Sequence, residues 1–430
     1  MRDARGRTCG LAILSAAFVV ASCDDGQTRP PAAPSTEVHS DRVRIAAPAI
    51  PDGDLTQLAA DNRHFAVNLY QAIRQTPGNL VFSPESISIA LAMTFGGAAG
   101  ETATQMAATL QFTLPAPRLH AAFDALDLSL TTPKAGQDPN AFQLRIADAL
   151  WAQQGFTILP AYLDLLATNS GAGVHLVDFN TAAEPARLTI NQWLSDQTAQ
   201  KIPELLPTGS LLPNTRLVLT NAVYFKGDWA SPFMPNSPDG LFHTTTATVN
   251  VPMMRANGSV TEWSGDGYQA AALPYVGAGA SMIVIVPDAG TFDAVEAGLT
   301  GATLDAILLA ADSGPGTFSL PRFKFKQDLS LSDVLSGMGM PDAFDGQLAD
   351  LSGIDGMRDL YIQKILHQAL IAVDEKGTEA AAATAVIIGE TAGMVGVMRN
   401  LVVDRPFLFA IRDNATQSIL FLGRVLDPSM

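Results

Sequence analysis

The sequence predicts a single α+β domain with helices mainly in its first part and strands mainly later. Before residue 200, apolar side chains recur every three or four residues, which is typical of amphipathic helices. Later runs are rich in Ile, Val, Leu and Phe and short enough to be strands. Strand and helix patterns do not alternate regularly, which argues against a doubly wound parallel sheet. We find no internal repeat and no second domain boundary.

The predicted helices follow from spacing and from helix-start residues. Leu58, Phe65 and Leu69 recur at helical intervals in the first of them. The second begins at Ser83 and Pro84, because proline is favoured in the first helical turn. The helical segments are 54–75, the segment that opens at 83–84, a short helix that starts near 96–102, 161–168 and 186–198.

The predicted strands are apolar runs bounded by polar, glycine or proline residues. They cover 142–151, 174–179, 215–225, 281–287, 317–325, 365–374, 401–412 and 418–426. With 430 residues and 47% hydrophobic content, the chain can bury one large core or two ordinary ones.

The N-terminus has the composition of a secretory leader. Three arginines precede an apolar run at 11–21, which is followed by small residues and Cys23. We therefore predict a signal peptide at 1–22. The ending Val-Ala-Ser-Cys resembles a bacterial lipobox, in which cleavage leaves Cys23 lipidated; ordinary cleavage that leaves a free thiol is the alternative.

Residues 23–53 are rich in Pro, Ala, Thr and charges without sustained periodicity, so we predict a flexible tether before a domain at 54–430. We expect a secreted protein that is lipid-anchored to a bacterial membrane, in the periplasm or at the cell surface. The lipid is the one predicted membrane contact, because no apolar run in the body approaches a span. Cys9 would leave with the leader, so no intramolecular disulfide is expected.

Composition and motifs argue against nucleic-acid binding and catalysis. The formal net charge is −16, whereas phosphate contacts need clustered Lys and Arg. The six histidines form no His-Glu-x-x-His zinc pattern. There is no Gly-x-Ser-x-Gly elbow and no phosphate-binding glycine-rich loop. We therefore predict no catalytic residue, no metal site and no cofactor.

One stretch near the C-terminus combines strand-like alternation with an absence of large or charged side chains. Between Glu379 and Glu390 there is no charge, and between Gly377 and Arg405 there is no proline. In a strand, alternate residues from Thr378 to Ile388 would share one small or apolar face that could be buried. An Ala-rich helix is the competing interpretation, because Ala and Glu are strong helix formers.

Residues 375–384 read Glu-Lys-Gly-Thr-Glu-Ala-Ala-Ala-Ala-Thr and resemble the proximal hinge of the reactive-centre loop in serpins, the inhibitors that trap serine proteases. Segments at 79–87, 220–229, 320–324 and 404–409 resemble the family's other landmarks, in the family's order. The resemblance covers about 54–428. It implies a serpin fold, with N-terminal helices, a large mixed central β-sheet A, further sheets and an exposed reactive-centre loop.

The resemblance also implies roles for individual residues. Trp229 matches the breach position at the top of sheet A, and Arg322 and Glu375 match an ion pair that pins the hinge. The shutter positions, beneath strands that must part, are Ser83, Ser86, Asn221 and His367. The loop hinge is Glu375, Gly377, Thr378, Glu379, Ala380, Ala381, Ala382 and Ala383.

The function that the resemblance implies is inhibition of serine proteases as a suicide substrate. The protease cuts the loop, and the hinge side inserts into sheet A as a new strand. No catalytic group or cofactor is needed, and we expect a monomer. The inward face from Thr378 to Ile388 carries nothing bulky or charged, which favours an inhibitor over a non-inhibitory serpin acting as carrier, storage protein or protease substrate.

The family's usual count of seventeen residues from Glu375 places the reactive bond between Thr391 and Ala392. A loop shorter by one residue would place Glu390 at the cut, and a longer one would place Met394 or Met398 there. Small and medium apolar residues surround these positions. They favour an elastase-like or subtilisin-like protease over a trypsin-like one.

Overall fold

The computed structural model describes residues 34–132, 141–277, 279–309, 313–378 and 399–430. Helices dominate before residue 200 and strands after it, so the α+β prediction is confirmed. The α-helices are α1 (Asp54–Ile73), α2 (Pro84–Phe95), α3 (Gly100–Leu110), α4 (Ala116–Thr131), α5 (Pro160–Ser170), α6 (Phe179–Gln197), α7 (Phe292–Ala297), α8 (Gly301–Leu309), α9 (Ser332–Met338) and α10 (Ser352–Asp355), with a 3₁₀ turn at Pro341–Phe344.

Strands, numbered in chain order, form two large sheets and one hairpin. Sheet A has the order β1-β4-β3-β5-β14-β13-β12, and sheet B the order β15-β11-β8-β9-β10-β16-β17-β2. Sheet A contains β1 (Thr36–Val38), β3 (Phe142–Gln153), β4 (Val174–Val177), β5 (Leu217–Asp228), β12 (Phe323–Ser330), β13 (Lys364–Val373) and β14 (Gly377–Thr378). Sheet B contains β2 (Leu80–Phe82), β8 (Met253–Gly265), β9 (Tyr268–Pro274), β10 (Ala280–Pro287), β11 (Ser313–Pro321), β15 (Arg399–Val402), β16 (Phe407–Asp413) and β17 (Ile419–Val425); the hairpin is β6 (Gly240–His243) with β7 (Thr248–Val251).

Sheet A is buried on both faces at its centre. Nine consecutive residues at the start of β5 are buried, which is the pattern of a strand covered from above and below. On one face α2 packs between sheets A and B, and it is buried along almost its whole length. On the other face α6 contributes Ala186, Ile190 and Leu194 to a second apolar cluster with β3 and β5. Helices on both sides therefore confine any movement of the central strands.

Local sequence explains where α2 begins. The Ser83 hydroxyl accepts a hydrogen bond from the Ser86 N–H at 3.3 Å, and Pro84 occupies the first helical position. A capping serine followed by proline satisfies one exposed N–H and removes another. These two features place Ser83 and Ser86 directly beneath the centre of sheet A.

Part of the predicted tether, between residues 36 and 45, pairs with the domain in the structure. Residues 36–38 form β1 and pair with β4, and the Ile45 N–H donates to the Thr168 carbonyl at 3.0 Å. The Arg44 guanidinium binds Asp124 at 2.7 Å and Asp127 at 2.6 Å. The edge of β4, the buried carboxylate of Asp124 and the partly buried carboxylate of Asp127 thus hold part of this segment against the domain. A strand of three residues is too short to show a periodicity in the sequence.

Two predicted strands are each two strands in the structure. The 317–325 run breaks at Arg322, so that β11 lies in sheet B and β12 in sheet A. The 401–412 run breaks before Pro406 and gives β15 and β16, which lie at different places in sheet B. Proline lacks the N–H that a continuous ladder needs, which explains breaks next to Pro321 and Pro406. The sequence analysis also missed α4 and the strands between 240 and 274.

Glu85, at the start of α2, is a buried carboxyl at 1% exposure. The Asn62 amide donates to both of its oxygens, at 3.0 and 3.1 Å. Burial raises the pKa of Glu85 from about 4.5 to about 8, although the hydrogen bonds from Asn62 and Ser418 work in the opposite direction. Glu85 is therefore largely protonated in the folded state at neutral pH, and ionised in the unfolded chain.

Glu85→Gln should flatten the pH dependence of unfolding. Since the folded-state pKa lies above the unfolded value, the stabilisation from this proton is complete below about pH 4.5 and is lost as pH rises towards 8. The free energy of unfolding of wild type should fall, relative to the variant, by up to about 1.4 kcal/mol per pH unit in that window. Urea unfolding at pH 5, 6.5 and 8 measures this difference, and parallel curves for the two proteins would contradict it.

Candidate functional site

The candidate site is the line along which β5 and β13 meet, which we call the seam. Over most of its length these strands pair directly and in parallel, from Lys364 opposite Val218 to Leu370 opposite Tyr224. At the top, β14 lies between them and pairs antiparallel with both. The chain that leaves β13 therefore turns back and enters its own sheet for two residues.

Both residues of β14 fit tightly into the seam. A Cβ on Gly377 would clash with the Gly227 carbonyl oxygen, so glycine is required by the close approach of two backbones. Thr378 is 1% exposed, and its hydroxyl lies 2.8 Å from the Tyr275 hydroxyl. The first residue of the predicted inward face is therefore already buried.

Trp229 anchors the turn between β13 and β14. Its indole N–H donates to the Asp374 carbonyl at 2.9 Å, and its backbone N–H donates to the Lys376 carbonyl at 2.7 Å. Its ring stacks on Tyr275, with centroids 4.6 Å apart. The Phe233 N–H donates to the Glu375 carbonyl at 2.8 Å. The hinge thus depends on backbone contacts that side-chain variation in 374–376 would leave in place.

Arg322 and Glu375 form an ion pair at this end of the sheet. The Arg322 Nε donates to Glu375 Oε1 at 2.8 Å, and Nη2 contacts the same oxygen. The Arg322 side chain is 47% exposed and that of Glu375 16%. A half-exposed pair of this kind contributes only about 0–1 kcal/mol to stability. Its contribution to the stability of the domain is therefore small.

Below β14, the seam is crossed by a hydrogen bond between buried side chains. His367 of β13 lies opposite Asn221 of β5, and both are fully buried. The Ser83 N–H donates to His367 Nε2 at 3.1 Å, so the ring proton is on Nδ1, which donates to the Asn221 carbonyl oxygen. Burial lowers the pKa of His367 to about 3, so the ring is neutral at physiological pH.

The Asn221 amide group uses its N–H donors on the side away from His367. It donates to the Ser86 hydroxyl and to Asp148 Oδ1 on β3. The structure thus joins Ser83, Ser86, Asn221 and His367 in one cluster with Asp148, a residue that the sequence analysis missed. An isolated Asp in an apolar strand could have been noticed, because buried carboxyls need partners.

Several predicted site residues lie outside the described residues. They are the lipidation candidate Cys23, the hinge residues Glu379, Ala380, Ala381, Ala382 and Ala383, and the reactive-bond candidates Glu390, Thr391, Ala392, Met394 and Met398. Within the described ranges, no group of three or more metal-ligating side chains comes together. No helix in those ranges is both long and apolar enough to cross a bilayer.

Comparison with known proteins identifies the family. The profile of the family described as "Serpin (serine protease inhibitor)" matches residues 60–428. The chain belongs to the serpin family. Human leukocyte elastase inhibitor is 37% identical over 390 residues, which cover 87% of this chain and all of that serpin. The family is not one of enzymes, and the prediction that the chain is not an enzyme agrees with this membership.

Solved serpin structures share the fold. Tengpin, a thermophilic serpin in its native state, superposes with a TM-score of 0.79 at 26% identity, covering 91% of this chain and 97% of tengpin. Human thyroxine-binding globulin in complex with thyroxine gives 0.77 at 31% identity, covering 87% and 99%. The predicted serpin fold is therefore confirmed. Because the family includes both protease inhibitors and such a hormone-binding protein, membership alone does not assign inhibition to this chain.

Glu375→Lys should raise the polymerised fraction of this serpin on gentle heating. The variant places two cations together at the hinge, which frees the top of the seam to pair with the loop of another molecule. Size-exclusion chromatography before and after heating measures the effect. The charge-swapped double variant Arg322→Glu with Glu375→Arg restores an ion pair and should return to the wild-type profile. Identical profiles for Glu375→Lys and wild type would refute the prediction.

Proposed function

We propose that this serpin inhibits serine proteases as a suicide substrate, with the seam as the site that receives the cut loop. The observation that carries the proposal is β14, since Gly377 and Thr378 already lie between β5 and β13 with antiparallel pairing on both sides. From Thr378 to Ile388, the alternate residues that would share one face of an extended β14 are all small or apolar, and none is charged. They are suited to extend β14 downwards.

Extension of β14 would replace the one set of hydrogen bonds between β5 and β13 with two sets, one on each side of the new strand. The parallel β5–β13 pairing would separate, and the new strand would pair antiparallel with each of them. Antiparallel pairing is slightly more stable per residue than parallel pairing. Serpins are themselves a known example of such strand addition, so this step rests on the family as well as on the pairing here. The inserted strand gains backbone hydrogen bonds along its full length.

The protease supplies the covalent chemistry in this proposal. Its serine attacks the loop and forms an acyl-enzyme, and the cut frees the hinge side of the loop. Insertion then carries the acylated protease away before water releases it. We place the reactive bond between Thr391 and Ala392, and the flanking apolar residues favour an elastase-like or subtilisin-like target. That human leukocyte elastase inhibitor is similar to this chain supports the same target class.

Incubation with elastase, subtilisin, chymotrypsin and trypsin tests the function directly. An inhibitor gives a complex with elastase or subtilisin that survives SDS, and mass spectrometry of the released peptide locates the cut bond. Clean cleavage by every protease without a stable complex would contradict inhibition. It would instead support the alternative, a non-inhibitory serpin that acts as a carrier, storage protein or protease substrate.

Thr378→Arg should convert the inhibitor into a substrate. Thr378 is buried against Tyr275. The guanidinium of an arginine at this position would lose its hydration without gaining a partner of opposite charge. Insertion of the loop should therefore slow relative to release of the protease. Thr378→Ser keeps the hydroxyl and is the matched control. The stoichiometry of inhibition should rise several-fold for the arginine variant and stay near the wild-type value for serine. An unchanged stoichiometry in Thr378→Arg would count against the insertion step.

We also propose that the secreted chain is anchored by lipid at Cys23, on the basis of its charged, apolar and small-residue leader. Anchoring would place the inhibitor at a bacterial membrane, either in the periplasm or at the cell surface. Labelled palmitate fed to expressing cells should enter the wild-type chain and not Cys23→Ser. Equal labelling of the two chains would rule out this anchor.

A further inference from the structure

Three polar side chains lie in one row across sheet A. Asp148 of β3 is opposite Asn221 of β5, and Asn221 is opposite His367 of β13. Residues at one register on neighbouring strands point to the same face, so the row faces α2 and its Ser83 and Ser86. Within this row, the pair of Asn221 and His367 crosses the seam, and the pair of Asp148 and Asn221 crosses from β3 to β5.

Asn221 can hold His367 in only one orientation of its amide. The carbonyl oxygen accepts from His367 Nδ1–H, and the amino group donates to Ser86 and Asp148. Rotation of the amide by half a turn would place the carbonyl oxygen against the acceptor oxygen of Asp148. It would also place N–H donors against the ring proton of His367. Asp148 therefore opposes rotation from the side away from the seam.

We propose that Asp148 is a positioning residue for loop insertion: by accepting from Asn221 it fixes the amide orientation that ties Asn221 to His367, and it thereby sets how readily the seam opens. This inference deepens the proposed function, in which the seam must open, and it rests on that function. Separation of β5 from β13 must break the Asn221–His367 hydrogen bond, while the Asn221–Asp148 contact stays within the β3–β5 half of the sheet.

The two oxygens of Asp148 have different surroundings. Oδ1 accepts from Asn221, and Oδ2 is buried with no hydrogen-bond partner among the described residues. A cavity of about 120 Å³ beside it is lined by apolar side chains and by five further polar residues, Arg44, His120, Asp127, Asn169 and Ser170. Burial raises the pKa of Asp148 well above its usual value, and Asp127 raises it further. When the carboxyl is protonated, a proton on Oδ2 leaves Oδ1 as a pure acceptor towards Asn221.

The protonated acid has the hydrogen-bonding pattern of an amide side chain. Asp148→Asn keeps one acceptor oxygen towards Asn221 and keeps the shape, whereas Asp148→Leu keeps the branching and loses the acceptor. Comparison of the two variants therefore distinguishes the effect of the hydrogen-bond acceptor at position 148 from the effect of filling the same volume. Asp148→Ala, which loses both, provides a second variant without the acceptor if the leucine protein does not fold.

Uptake of a synthetic peptide with the sequence of residues 378–391 measures seam opening without a protease. Loss of one buried hydrogen bond should accelerate uptake by Asp148→Leu about 3- to 10-fold, whereas Asp148→Asn should stay within about 2-fold of wild type. Equal rates for wild type and Asp148→Leu, or an asparagine variant as fast as the leucine one, would overturn the proposal. Failure of the wild type to take up the peptide would also overturn it, because the seam would not open.

The pH dependence of unfolding tests the proton on Asp148. His120 and Asp127 of α4, Arg44 and His367 face the same region and are all present in Asp148→Asn, so the difference between the two proteins isolates Asp148. Because burial raises the folded-state pKa of Asp148 above its unfolded value, the unfolding equilibrium constant of wild type should rise relative to the variant as pH increases above the ordinary carboxyl pKa, by up to about tenfold per pH unit. A constant ratio would mean an ionised Asp148 and overturn the protonated form.

These outcomes are distinguishable from failure of the proposed function. If wild type takes up the peptide and responds to Asp148→Leu, yet forms no complex with any protease, then inhibition is wrong and the positioning role stands. If complexes form and Asp148→Leu behaves as wild type in peptide uptake, inhibition stands and the positioning role is wrong.

Discussion

Parallel pairing of β5 with β13 is the interaction on which the rest of the structure depends. The two strands come from distant parts of the chain and meet at the centre of a sheet that is covered on both faces. At the top of the sheet the same strands accept β14 between them. The two strands therefore pair directly along most of their length, and β14 separates them only at one end. The separated end is a starting point for extension of β14, and the direct pairing below it is a barrier to that extension.

The barrier has both an apolar and a polar part. Apolar packing against α2 and α6 resists displacement of either strand, whereas the polar row beneath the seam consists of hydrogen bonds between defined atoms. Each buried hydrogen bond contributes only about 0.5–1.5 kcal/mol net, yet an unsatisfied partner is destabilising by about 1–3 kcal/mol. The hydrogen bonds that link Asp148, Asn221 and His367 thus favour the closed sheet by more than their individual strengths suggest. The neutral His367 and Asn221 leave the seam without a charge at this point.

The sequence was sufficient for some of these features and not for others. Ser83 and Pro84 predict the start of α2 by local capping. The small or apolar alternate residues from Thr378 to Ile388 predict a strand with one face that can be buried. The joining of Ser83, Asn221 and His367 followed from resemblance to serpins and not from spacing, since contacts across 146 residues leave no periodic signal. The role of Asp148 was missed for the same reason, because its partner Asn221 lies 73 residues further along the chain.

Short elements and strand breaks account for the remaining differences. β1 is three residues long and is held by the edge of β4, together with the pairing of Arg44 to Asp124, so only the tertiary structure accounts for it. The breaks at Arg322 and Pro406 redirect the chain between and within sheets, which a run of apolar residues does not reveal. Pairing with other strands in the folded protein decides where such strands begin and end. The β propensity of a residue does not reveal this, because it mainly reflects how well the side chain fits a half-buried sheet surface.

Thermal unfolding of the chain before and after a single cut in 390–394 tests the central claim most directly. If the cut segment extends β14 through the seam, two antiparallel ladders replace one parallel ladder, and the cleaved protein should melt at a markedly higher temperature than the intact one. A cleaved protein that melts at the same temperature as the intact chain, or below it, would contradict insertion and with it the account of this serpin as a suicide inhibitor.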